Sequence, residues 1–209
     1  MSSSAGGTRD REKHMAEYTA IYEAANSVIE YLRDTLTPEP ISSKELISLC
    51  SPYEPENNQL TVYVYNLEED PAVVNEGFVN NGLNSAQMSP TSLQAGLLIT
   101  AHSNAPAQMK EADRCRIIGA VVSAIKDMPI IDKKYLTGSL LKSDNQIKMN
   151  MEHVTHENMM KIWGNTTPFK LSVVVNLTGI QIDSGRSKQI SRVTEVRIGT
   201  EQKPQDPKQ

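Results

Sequence analysis

The chain has 209 residues and a mass of 23.1 kDa, room for one compact domain with extensions. With 38% hydrophobic and 22% charged residues, a mean hydropathy of -0.42 and no apolar run near the roughly 20 residues of a bilayer span, it excludes a membrane-inserted protein. A formal net charge of -4 and a pI near 5.6 argue against a nucleic-acid-wrapping protein.

Residues 1–14 are small, polar and charged and read as a flexible arm without a secretory signal. Two distant cysteines, Cys50 and Cys115, make a disulfide framework improbable, so synthesis and retention in a reducing cytosol is the expectation. From Met15 to Leu36, the positions Tyr18, Ile21, Tyr22, Ala25, Val28, Ile29, Leu32 and Leu36 recur at helical intervals, and Pro38 and Pro40 stop the helix. Residues 41–58 form a connector in which Ser43 could cap a short turn. Leu60 to Asn66 alternates and predicts a strand with Leu60, Val62 and Val64 on one face.

Residues 67–90 carry Glu68-Glu69-Asp70, Pro71, Gly77, Asn80-Asn81-Gly82 and Pro90 without sustained periodicity. They predict a long loop without regular structure, of the kind that has a binding role or is disordered. Thr91 to His102 predicts a second strand, with Leu93, Ala95, Leu97, Ile99 and Ala101 alternating. A helix over Ala107 to Lys126 has Met109, Ala112, Ile117, Ala120, Val121, Ala124 and Ile125 as its buried stripe. Strands are predicted over Asn145 to Met151, Phe169 to Ile182 and Arg192 to Ile198, with a short helix opening at Thr155. Residues 200–209 read as a flexible tail, leaving 15–199 as the domain. The order implies an α+β fold with a mostly antiparallel sheet and two main helices, not a doubly wound parallel sheet.

No catalytic residue, cofactor-binding residue or metal ligand set emerges. The glycines form no phosphate-cradling loop. Ser139 to Lys142 beside Ser143 to Asn145 imitates motifs of penicillin-recognising enzymes, but those motifs sit on separated elements and here they abut. His153 and His156 have near-ligand spacing but lack further ligands, so they read as surface or capping residues. Glu68, Glu69 and Asp70 read as a solvated turn or a patch for a basic partner, and Trp163 as a core anchor whose indole N–H finds a carbonyl.

Five segments in order then become recognisable. They are Tyr18 to Leu36 with Ser51-Pro52, Val62 to Pro71, Leu93 to Ala101, Ile118 to Pro129, and Lys161 to Trp163 with Pro168 to Ser172. Together they resemble the N-terminal domain of the tail-terminator (cap) proteins of extracellular contractile injection systems, typified by the antifeeding prophage and the Photorhabdus virulence cassettes. Leu97 departs from the aromatic usual at its position. The resemblance implies a structural, non-enzymatic protein, assembled in the cytoplasm into a phage-tail-like particle. It implies a ring, a hexamer, that ends the inner tube and contractile sheath, with itself, the sheath protein and the tube protein as partners, and no nucleic acid. Signature positions of the core would be Tyr65, Pro71, Gly119, Pro129, Trp163 and Pro168. Candidate interface residues are Glu68, Glu69, Asp70, Asn80, Asn81, Arg192 and Arg197. Two alternatives are a neck or head–tail completion protein of a contractile phage, and a small metal- or ligand-binding domain.

Overall fold

The computed structural model describes residues 18–73, 77–80, 85–142, 146–164 and 169–189. Helix α1 (Ala20–Leu36) forms because Ala24, Ala25, Val28, Ile29, Leu32 and Leu36 fall on one face, which is fully buried. It ends where Thr37, preceding Pro38, takes an extended conformation. Tyr18 and Tyr22, expected on the buried face, are 65% and 59% exposed, while Ala20, Glu23 and Ala24 of the same turn are buried. A short 3-10 turn (Lys44–Leu46) starts after Ser43, whose side chain makes no capping bond, and leads into β1 (Ile47–Leu49).

Strand β2 (Leu60–Glu69) pairs parallel with β1 through Leu60–Val62 and antiparallel with β5 (Thr91–Ala101) along its length. Strand β7 (Ser172–Ile182) pairs with the other side of β5, and β6 (Lys148–Met151) closes the five-stranded order β1-β2-β5-β7-β6. All pairs but β1–β2 are antiparallel, as the α+β expectation requires. The expected inward faces hold: Leu60, Val62, Ala95, Leu97, Ile99, Ala101, Val175 and Leu177 join the core under α1 and α2 (Lys110–Asp127). Each large aliphatic side chain removed from water there contributes roughly 1.5–3 kcal/mol. Tyr31 pins the two helices together, its hydroxyl donating to Ala124 O at 2.7 Å and its ring edge-on to Tyr135. In α2 only Ile117, Ile118, Val121, Ala124 and Ile125 are buried. Met109 and Ala112, expected in the stripe, are exposed at the start of the helix.

Two irregularities shape the sheet. Tyr65 is an extra residue between Val64 and Asn66, and its ring lies over Gly96, where an added Cβ would come within 2.7 Å of the ring. In β7 the register shifts at Thr178–Gly179, and Gly179 takes φ +89 against the backbone of Gln146.

Residues 67–90 are not the structureless loop their composition suggested. Strand β2 runs on to Glu69, and β3 (Phe78–Asn80) and β4 (Ser85–Met88) pair with each other and with β8 (Ser187–Gln189) in the order β3-β4-β8. Strands of three or four residues are too short to show a period, and the partner of β4 lies a hundred residues away. The small sheet extends the large one: β4 leads through Ser89 and Pro90 into β5, while β7 leads through 183–186 into β8. Because β3 flanks β4 on the side where β2 flanks β5, the two sheets form one ribbon, a body with a three-stranded arm.

The other face of the sheet is covered at one end by α4 (His156–Trp163), capped as expected by Thr155, whose hydroxyl accepts from Asn158 N–H. Trp163 packs there with Leu98 and Val174. Before it, α3 (Gly138–Lys142) is held by a buried carboxylate: Glu23 Oε2 accepts from the N–H groups of Ser139 and Leu140 and the Ser139 hydroxyl at 2.5–3.2 Å.

Candidate functional site

Among the described residues no group of three or more His, Cys, Asp or Glu side chains is placed to hold a metal ion. His153 and His156 are both exposed, and His156 stacks edge-on against Phe169 instead of meeting a second ligand. Ser139 is occupied with Glu23, so its enzyme-like motif is a helix start. No helix among the described residues is long and apolar enough to cross a membrane. Cys50 and Cys115 are free thiols.

The signature positions divide. Trp163 is 1% exposed, flanked edge-on by Tyr53 and Phe169 at 5.4 and 6.0 Å, and the Tyr53 hydroxyl donates to Trp163 O at 2.8 Å. Its indole N–H, expected to meet a carbonyl, finds no acceptor among the described residues. Tyr65 is half-buried on the same cluster. Pro71, Gly119 and Pro129 are not core residues: all three are exposed, and an added Cβ on Gly119 would meet only open space. Pro71 and Pro129 follow the ends of β2 and α2, where a ring that blocks further pairing ends an element without needing burial. Pro168 lies outside the described residues.

Of the candidate interface residues, Glu68, Glu69, Asp70 and Asn80 lie on β2, the turn after it and β3. Glu68 and Glu69 are the exposed last residues of β2, not a turn, and the Glu68 carboxylate accepts from Gln94 Nε2 at 2.6 Å. Asp70 starts the turn after them, accepting from Ala72 N–H at 3.0 Å. Asn80 ends β3, exposed. Asn81, Arg192 and Arg197, with the expected strand Arg192 to Ile198, lie outside the described residues. Leu67 on β2 and Phe78 and Val79 on β3, none of them singled out from the sequence, stand 44–49% exposed.

A buried polar knot was also missed. At the end of β5, His102 Nε2 lies 3.0 Å from the Thr61 hydroxyl and Nδ1 lies 3.1 Å from Lys170 Nζ. Burial, then the charges of Lys170 and Arg114, push the imidazole down to about 4, so it is neutral near pH 7 and accepts from the ammonium. Burial and Arg114 likewise lower Lys170. Thr61, His102 and Lys170 are far apart in sequence, and only strand pairing unites them.

Solved structures share this α+β fold with its exposed strand border and arm. One is the sheath/tube terminator of the PVC extracellular contractile injection system in its extended state, similar over 88% of this chain and 64% of that one, at 14% identity and TM-score 0.60. Another is the tube-terminating cap of the anti-feeding prophage, similar over 84% of this chain and 59% of that one, at 14% identity and TM-score 0.55. The chain thus spans about three-fifths of the length of these proteins. No curated protein matches it by sequence. The chain belongs to the Pvc16 N-terminal domain family, whose model matches residues 23–195.

Proposed function

We propose that this protein caps the tube and sheath of a phage-tail-like contractile injection particle, as a ring of six copies and without enzymatic activity. The observation that carries the reading is the shared fold with two tube terminators over most of the chain, together with family membership over residues 23–195. A ring ends a polymer when each copy offers one face to the growing end and a different face to solvent, and head-to-tail contacts that close produce such a ring. A ribbon whose two borders differ suits head-to-tail contact. The inner tube and contractile sheath proteins are the partners, and assembly takes place in the cytoplasm before the particle is complete. The working unit is residues 15–199, with 1–14 and 200–209 as arms. Electron microscopy of particles made with and without the protein tests this. Overlong or frayed tails in its absence support termination, and tails of normal length and intact ends refute it.

A further inference from the structure

The large sheet protects its borders unequally. On one side, the outer edge of β6 is occupied by residues 129–131: Met149 N–H donates to Pro129 O at 2.8 Å and Ile131 N–H to Ile147 O at 2.9 Å. On the other side, β1 is only three residues long, and its Ile47 O accepts from the Arg33 guanidinium of α1 at 2.7 and 3.1 Å. Beyond Val62, however, β2 has no strand beside it among the described residues. The Asp70 N–H donates inward to Ser92 O, so by the alternation of an antiparallel ladder the backbone groups of Leu67 and Glu69 point outward. An open edge of this kind is a template for another strand. It carries exposed Leu67 beside the carboxylates of Glu68 and Glu69, and β3 exposes Phe78 and Val79 further along the same border.

We infer that this β2 edge receives residues 192–198 of a second copy of the chain as an added strand, which is the contact that closes the ring. The inference rests on the ring reading above. Three features select the occupant. Extended, the run Arg192-Val-Thr-Glu-Val-Arg-Ile198 puts Val196 and Ile198 on one face and Arg197 between them on the other, which matches Leu67 on one face of β2 and the Glu68 carboxylate on the other. The chain leaves β8 at Gln189, on the arm and on the opposite border of the ribbon from β2. A strand added to the β2 edge lies three strand spacings, about 14 Å, from β8, while the three peptide links from Gln189 to Arg192 span at most about 11 Å. The run therefore starts out of reach of its own β2 edge. One border gives and the opposite border receives, which is head-to-tail addition.

Cysteine cross-linking in the full chain tests this. Leu67→Cys is combined with cysteine at each of residues 192–198 in turn, in a background with Cys50→Ser and Cys115→Ser. Oxidation of at least one pair is expected to yield a ladder of linked multimers on a non-reducing gel, whereas Leu67→Cys alone stops at dimer. Leu67→Pro, which removes an outward N–H, is expected to lower the ring fraction at least tenfold in sedimentation while leaving Trp163 emission unchanged. Rings that form but link at no position, or links that close only within one chain, overturn the strand inference and leave the ring reading standing. A monomer at every concentration overturns the ring reading itself.

Discussion

Lowering the pH from 8 to 5 is expected to remove about 2 kcal/mol of folding stability through one side chain, His102. In the folded chain its pKa is pushed down to about 4 from an ordinary 6.5, because the ring is 6% exposed and faces Lys170 and Arg114. A base whose pKa is depressed on folding contributes its full stability above the unfolded pKa and loses it as pH falls toward the folded one. The window is therefore pH 6.5 down to about 4. Each unit of difference corresponds to about 1.4 kcal/mol, so some 2 kcal/mol is lost by pH 5 and about 3 kcal/mol below pH 4. Urea unfolding at half-unit pH steps, followed by the emission of the single tryptophan, measures it. His102→Gln cannot gain the proton, and should flatten the curve between pH 6.5 and 5. A wild-type curve already flat there, or a His102→Gln curve with the same slope, would refute the reasoning.

Glu23→Gln should destabilise the fold by about 1–3 kcal/mol, because three donors of Ser139 and Leu140 lose a charged acceptor. Burial raises the Glu23 pKa, but the bonds from Ser139, Thr19 and Leu140 outweigh it and hold it below 4.5, so this contribution survives at pH 5 and is lost only in more acid solution, a difference that urea titrations at pH 5 and 3 would reveal. Trp163→Ala should cost about 3–5 kcal/mol by thermal unfolding, and in the native chain acrylamide should barely quench the indole. Gly96→Ala should cost about 1–3 kcal/mol, since its methyl group would displace the Tyr65 ring, and Tyr65→Ala in the same chain should restore part of the loss.

Long periodic segments were legible because one physical rule governs them. In β5, Leu93 through Ala101 point inward at every second residue, because a strand alternates and that face meets α1 and α2. Helix α1 likewise follows from its apolar spacing, up to Leu36 before Pro38. Periodicity misled at the helix starts: Tyr22, Met109 and Ala112 sit at helical intervals yet are exposed, because tertiary packing and not spacing decides how far along a helix the buried stripe extends. The arm was invisible because β3, β4 and β8 acquire their extended form from one another across the chain.

The order of residues by itself determined the α+β class, the inward faces of β2, β5 and β7, and the resemblance to the terminator family. These depend on local spacing and on motif order, which a linear chain carries. Only the tertiary structure decided that Glu68 and Glu69 end an edge unpaired among the described residues, that β3 and β4 build an arm, and that His102 meets Lys170. Which edge stays open is a property of strand order, and strand order arises only when distant segments compete for the same hydrogen bonds.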